Sequence, residues 1–341
     1  MFHLEEIITM AHGSGGESTS RLISEVFAAE FSNEYLAGME DASVVPVSSK
    51  IAMTTDSFVV TPYEYPGGNI GRLSVCGTVN DLLTSGAVPK YLTAGFILEE
   101  GLPVSSLIRI VKSMAETARE AGVIIVTGDT KVIESASKDG GVMINTAGVG
   151  VITENAHCYK ATQVKPGDVI ILSGTLGEHH ATILSRRMGL DNESLESDNA
   201  PLIDIVHNLE ESGAAVHAIR DVTRGGLATV LNEYARTAGV QIVIKQDAIP
   251  VKKAVKDFCG ILGLDPLYMG NEGKMTIAVD PADATKALEI IRGSKYGADA
   301  VIIGSVIAVP EEEKPALLLE TSLGGNRIMG PLYGEGLPRI C

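Results

Sequence analysis

The sequence contains no tryptophan, and phenylalanine and tyrosine bring its aromatic share to only 4%. Beside 37 glycines, that scarcity argues against an aromatic protein-binding surface and for the tight turns of alternating strands and helices. Basic residues are also few: 27 lysines and arginines face 43 carboxylates, a formal charge of −16. Affinity for nucleic acid rests on cations that neutralise phosphates, so a nucleic-acid partner is excluded, and any phosphate ligand needs a metal ion or dedicated amides beside it. The four cysteines, Cys76, Cys158, Cys259 and Cys341, form no short pair, which speaks against a zinc site or disulfide framework and for a reducing, cytoplasmic compartment. No apolar run approaches the ~20 residues of a membrane span, and Met1-Phe2-His3-Leu4-Glu5-Glu6 lacks the basic flank of an export signal.

With 341 residues, 45% of them apolar, the chain is comfortable as two domains of α/β or α+β class. Residues 1–45 combine a glycine turn with a helix from Glu17 to Phe31. Residues 46–155 read as strand Ile51–Thr55, helix Ile70–Ser85, strand Tyr91–Leu98, helix Pro103–Ala121 and strands Val123–Thr127 and Val142–Ile152. A second unit, 156–315, restarts after Lys165-Pro166-Gly167-Asp168 with strand Val169–Ser173. Its helices are expected near His179–Met188, Pro201–Glu211, Gly225–Thr237, Val251–Leu262 and Ala282–Arg292, the last capped by Asp280, and its strands at Val240–Lys245, Met275–Val279 and Ala300–Val309. The run Glu311-Glu312-Glu313-Lys314-Pro315 reads as a solvated boundary. Residues 316–341, spaced by Gly324, Gly325, Gly330, Gly334 and Gly336, read as a flexible tail carrying Cys341. From Gly324 such an arm reaches at most ~55 to 60 Å, at ~3.3 Å per residue.

Three aspartates stand at expected element ends: Asp56 in Thr54-Thr55-Asp56-Ser57, Asp81 after Asn80, and Asp129 in Gly128-Asp129-Thr130-Lys131. Each alone is an ordinary cap or turn former, but together they are hard oxygen ligands suited to Mg²⁺ shared with substrate phosphates. Gly67-Gly68-Asn69-Ile70-Gly71 leads into a helix whose first amides could cradle an anion, and His12-Gly13-Ser14-Gly15-Gly16 could serve as a flap. Neither is a Walker loop or a dinucleotide fingerprint, and both could equally be tight turns. In the second unit stand Arg220-Asp221-Val222-Thr223-Arg224-Gly225-Gly226, where Asp221 or Thr223 could cap a helix, and Asn271-Glu272-Gly273-Lys274, which could be a plain turn. Facing a cleft, Glu272 is a candidate general base and Arg224 a candidate phosphate contact. A thiol at Cys341, beside Arg339, could act as a tethered nucleophile.

Taken with Asn145-Thr146-Ala147-Gly148 and the ending Pro338-Arg339-Ile340-Cys341, these motifs resemble the HypE family of hydrogenase-maturation carbamoyl dehydratases, within the aminoimidazole ribonucleotide synthetase-like (PurM) ATP-binding superfamily. The resemblance spans nearly the whole chain. It implies an ATP-binding domain over 46–155, a second PurM-like domain over 156–315, and a homodimer whose N-terminal sheets pair. It further implies that the partner HypF carbamoylates Cys341, that ATP then drives dehydration of this group to a thiocyanate, and that HypC and HypD carry the cyanide to the iron of a [NiFe] hydrogenase. On this resemblance Cys341, Glu272 and Lys131 are catalytic, while His12, Gly13, Gly15, Gly16, Asn69, Asp81, Thr130, Asn145 and Arg224 bind ATP. Asp56, Asp81 and Asp129 are assigned to Mg²⁺. Two alternatives stand beside this reading: a selenophosphate synthetase-like enzyme acting on a free small substrate, although residues 11–20 carry neither cysteine nor lysine, and a non-catalytic scaffold that docks partners through its tail.

Overall fold

The computed structural model describes residues 7–9, 12, 22–34, 50–135, 140–153, 157–190 and 192–331. The chain divides into two units, one up to residue 154 and one from residue 155, with residues 83–86 counted in the second. Among the described residues no helix is long and apolar enough to cross a membrane.

The first unit is built on strands β1 (Lys50–Phe58), β4 (Val88–Glu99), β5 (Ile124–Ile133) and β6 (Val142–Ile152), in the spatial order β1-β6-β4-β5. A small hairpin, β2 (Glu64–Tyr65) with β3 (Gly68–Asn69), leads into helix α1 (Ile70–Thr84). Helix α2 (Val104–Glu120) connects β4 to its parallel neighbour β5, while the other pairs in this sheet are antiparallel. In α2 the buried Leu107, Ile110, Val111, Met114 and Ala118 recur at three- and four-residue intervals, so one stripe of the helix seals against the core. Phe27, in a short helical stretch over Ile23–Phe27 and Ala28–Glu30, packs its ring 4.8 Å from that of Phe96. Strand β5 runs to Ile133, beyond the expected Thr127, so Asp129, Thr130 and Lys131 lie inside a paired strand rather than at its end.

The second unit carries a seven-stranded sheet in the order β13-β12-β9-β11-β7-β10-β8, where β7 is Val169–Leu172, β8 Val216–Asp221, β9 Gln241–Lys245, β10 Met275–Val279, β11 Val301–Ile307, β12 Ala316–Glu320 and β13 Asn326–Met329. Only β12 with β9 is parallel. Both sheets are therefore largely antiparallel, which places the fold on the α+β side of the expected class. Helices α3 (Glu178–Arg187), α4 (Ile203–Ser212), α5 (Gly226–Ala238), α6 (Lys253–Leu262) and α7 (Ala284–Gly293) complete the unit. A core of Ile170, Leu172, Leu231, Tyr234, Ile242 and Ile303 joins the sheet to α5.

Two expectations fail here. Residues 316–329 are not tail: Leu317 and Leu319 bury against the core, and β12 with β13 extends the sheet past the acidic run once read as its boundary. The chain is held as far as Gly330, since Asn232 Nδ2 donates to Met329 O at 2.9 Å and Tyr268 Oη to Gly330 O at 3.0 Å, and the remainder of the expected tail, residues 332–341, lies outside the described residues. Helix α7 starts at Ala284 after Asp283, and Asp280 instead accepts the Ala282 amide at 3.1 Å one turn earlier.

Candidate active site

Alternation along β1 decides which aspartates can meet. Asp56 lies opposite Thr146, Ala94 and Gly128, whereas Ser57 lies opposite Asn145, Gly95 and Asp129, and side chains in neighbouring rows point to opposite faces. The Asp56 row faces α1, because Thr146 Oγ1 meets Thr78 Oγ1 and donates to Ser74 O at 3.2 Å. There Thr54 Oγ1 donates to Asp81 Oδ2 at 3.0 Å, and a Cβ on Gly77 would sit 2.8 Å from the Phe58 ring and 3.6 Å from Asp56 Oδ2. Gly77 thus lets α1 approach β1 closely, with Asp56 and Asp81 both on this face of the sheet.

Asp129 belongs to the other face. Lys131 Nζ reaches both its carboxylate oxygens at 2.7 Å, and this hydrogen bond, more than the charge itself, holds the Asp129 pKa below the ordinary carboxylate value. Asn145 shares that face. Its Nδ2 donates to Asp56 O and Ser57 Oγ at 2.9 Å and to Thr55 Oγ1 at 3.3 Å, tying β6 to β1. Thr130 stands in the row of Phe96, Ile144 and Phe58, on the helix side. Within one chain, then, the three-aspartate metal site does not assemble, since a sheet separates Asp129 from Asp56 and Asp81. Among the described residues no three His, Cys, Asp or Glu side chains gather to hold an ion. The remaining pair still suits Mg²⁺, which commonly takes one or two carboxylates and completes its shell with phosphate oxygens and water.

The helix-start cradle is also corrected. Asn69 Oδ1 accepts the amides of Gly71 and Arg72 at 3.0 and 3.1 Å, and the Ile70 amide is bonded to Tyr63 O at 2.9 Å, so the first amides of α1 are consumed and Asn69 is a cap. His12 is buried, its Nδ1 accepting from Thr9 N at 3.1 Å. Gly13, Gly15, Gly16 and Cys341 lie outside the described residues.

In the second unit the two singled-out loops are laced together. Val222 N donates to Lys274 O at 2.9 Å, and Asn271 N to Val222 O at 3.0 Å. Asn271 is wholly buried: its Oδ1 accepts from Gly177 N at 2.7 Å, and its Nδ2 donates to Val222 O and Met269 O at 3.0 Å. That set fixes where Glu272, 5% exposed, leaves the loop. Neither Asp221 nor Thr223 caps α5 with its side chain; the cap position is Gly225, which leaves the exposed Arg224 at the loop's outer edge. Sequence reasoning overlooked Asp198, whose only local signal was the turn Ser197-Asp198-Asn199-Ala200-Pro201. Its carboxylate accepts from Glu272 N at 3.2 Å and pairs with Lys274 Nζ at 3.0 Å. Burial, the largest single influence, works against its charge, but the contacts around it, the Lys274 ammonium foremost and the Glu272 amide among them, together keep Asp198 below the ordinary carboxylate range.

Comparison with known proteins matches the same two halves. Residues 39–152 fit the N-terminal domain of AIR synthase related proteins and residues 165–314 the C-terminal domain. The chain is 47% identical over 341 residues to carbamoyl dehydratase HypE of Rhodobacter capsulatus, covering 99% of each. It superposes on a crystal structure of the hydrogenase maturation protein HypE in complex with ATP with a TM-score of 0.92 at 44% identity, covering 97% of this chain and 99% of that one. A HypE chain crystallised in a HypE-HypF complex matches with a TM-score of 0.78 at 46% identity, over 91% of this chain and 99% of that one. Similarity of this extent, carried through both domains, establishes that the chain belongs to the HypE carbamoyl dehydratase family.

Proposed function

We propose that this protein is an ATP-dependent dehydratase that turns an S-carbamoyl group on Cys341 into a thiocyanate, for the cyanide ligand of a [NiFe] hydrogenase. The observation that carries the reading is full-length similarity to HypE proteins, including one solved with ATP. An amide oxygen leaves poorly until it is phosphorylated. In the proposed step the carbonyl oxygen of Cys341–S–C(O)NH₂ attacks the γ-phosphorus and ADP departs; the C–O bond then breaks, phosphate leaves, and the two N–H protons are lost as the C≡N bond forms. Glu272 takes a proton from nitrogen, Arg224 faces phosphate charge, Lys131, on the sheet face opposite Asp56 and Asp81, serves phosphate stabilisation or proton traffic, and Arg339 seats the tail. Asp56 and Asp81 would hold Mg²⁺, which when bound offsets the charge of the phosphates.

The open face of the first sheet favours a homodimer. Ile51, Met53, Ile97 and Ile133 are exposed there, Met53 to 69%, beside the polar group of Asn145, Asp129 and Lys131. An apolar patch of this kind is suited to a second copy. Pairing of open faces would set Asp129 and Lys131 of each protomer at a shared seam. HypF is the proposed carbamoyl donor, given the similarity to a HypE solved with HypF, and HypC and HypD the acceptors; a free reactive thiol suits the reducing cytoplasm.

Intact-mass analysis of the Cys341 peptide after incubation with HypF, a carbamoyl donor and ATP tests the reading. Addition of a carbamoyl group followed by loss of one water is expected. An adduct that persists with ATP present overturns it.

A further inference from the structure

We infer that Asp198 is a positioning residue for the dehydration step, acting through Glu272; the inference rests on the proposed role of Glu272 as base. Three contacts converge on the 272–274 turn from the 198–200 segment. Asp198 Oδ1 accepts the Glu272 amide at 3.2 Å, Ala200 N donates to Glu272 O at 3.2 Å, and Asp198 Oδ2 pairs with Lys274 Nζ at 3.0 Å. Both amide groups flanking the Glu272 side chain are therefore held by one short stretch.

The fit is close. A Cβ at Gly273 would sit 1.9 Å from Asp198 O, so the turn packs backbone against backbone with no room for slippage. The side chains of Asp198 and Lys274 are 3% and 11% exposed. Burial lowers the Lys274 pKa, but Asp198 first and Glu178 second more than reverse this, so the pair stays ionised. A buried ion pair contributes little net stability over an apolar replacement, yet it fixes the geometry of what it touches. Here one carboxylate does both tasks, since the oxygen not held by lysine holds Glu272. A base must lie within hydrogen-bond reach of the proton it takes, and a displacement of about 1 Å can slow a step by about 100-fold.

The test uses full-length protein carbamoylated by HypF and mixed with ATP, with the single-turnover rate of water loss followed by mass. Asp198→Asn, Glu272→Gln and the double variant are compared, together with ATP affinity. Asp198→Asn is expected to slow dehydration by about 10- to 100-fold with ATP affinity unchanged, and the double variant to be no slower than Glu272→Gln, because a residue acting only through Glu272 has nothing left to position. Should Asp198→Asn fail to fold, Lys274→Gln carries the same test, removing the ion that fixes Asp198. A wild-type rate for the tested variant, or slowing that multiplies with that of Glu272→Gln, overturns the inference. A wild-type rate for Glu272→Gln instead overturns the base assignment, and the positioning role with it.

Discussion

Asp129 and Lys131 form a solvent-facing ion pair, with side chains 67% and 64% exposed, and such pairs do little for stability. Lys131→Ala is accordingly expected to change unfolding free energy by less than about 1 kcal/mol in denaturant titration while lowering ATP-dependent water loss from the carbamoylated protein. A large loss of stability would reassign Lys131 to the fold. Asn271 is the opposite case. Its amide serves Gly177, Val222 and Met269 in a site closed to water, so Asn271→Ala should cost about 2 to 4 kcal/mol by leaving buried groups unpaired. The difference shows what the chain's letters disclose. Asp56, Asp81 and Glu272 stood out because carboxylates beside small residues suggest chemistry, whereas the weight on Asn271 comes from Gly177, 94 positions away, and Asp198 meets Glu272 across 74. Contacts at that separation leave no local trace.

At the level of elements, the contact of helix α1 with strand β1 brings Asp81 against Thr54 and the Gly77 position against Asp56. Gly77→Ala would place a methyl 2.8 Å from the Phe58 ring, an overpacking that costs about 1 to 3 kcal/mol and pushes the helix outward. We expect a lower melting temperature together with weaker ATP binding by calorimetry; weaker stability with unchanged ATP affinity would separate this contact from the nucleotide site. Most helices and strands were legible as hydrophobic periods, including β6 and β10 to the residue. Two of the failures share a cause. Gly128-Asp129-Thr130-Lys131 looks like a turn by composition, but pairing along β4 holds it extended, and β12 with β13 reads as a glycine-rich tail until Leu317 and Leu319 find the core. Sheet partners, absent from any local window, overrode composition in both places.

For the molecule as a whole, two neighbouring histidines link stability to acidity. Burial, first of all, lowers His179 and His180 to about 4 from 6.5, so both are neutral in the folded protein at neutral pH. Above about pH 6.5 neither state binds their protons and they leave stability unchanged; between about 6.5 and 4 the unfolded chain takes up protons the folded one refuses, so stability falls with pH, by on the order of 2 kcal/mol per histidine at about pH 5. The melting temperature should drop across that window, and His180→Gln should flatten the drop; an unchanged slope in the variant would exclude this source. Two domains, their order and a nucleotide-using family were legible because length and motifs spread along the chain report them. The placement of Asp129 behind a sheet was not, because it depends on which way alternate side chains turn once four strands have paired.

The anchoring of β13 by Asn232 and Tyr268 bears on how far from the second domain the proposed reacting sulfur of Cys341 can lie. With Met329 and Gly330 held, the eleven residues after Gly330 can place Cys341 no more than ~36 Å from that point, at ~3.3 Å per residue, against ~56 Å for the seventeen residues after Gly324. The volume within reach scales with the cube of that radius and is roughly fourfold smaller, which bounds from below the effective concentration a tethered sulfur would have there. In the proposed reaction, a donor or acceptor of the carbamoyl-derived group would have to bring its own active centre within that distance.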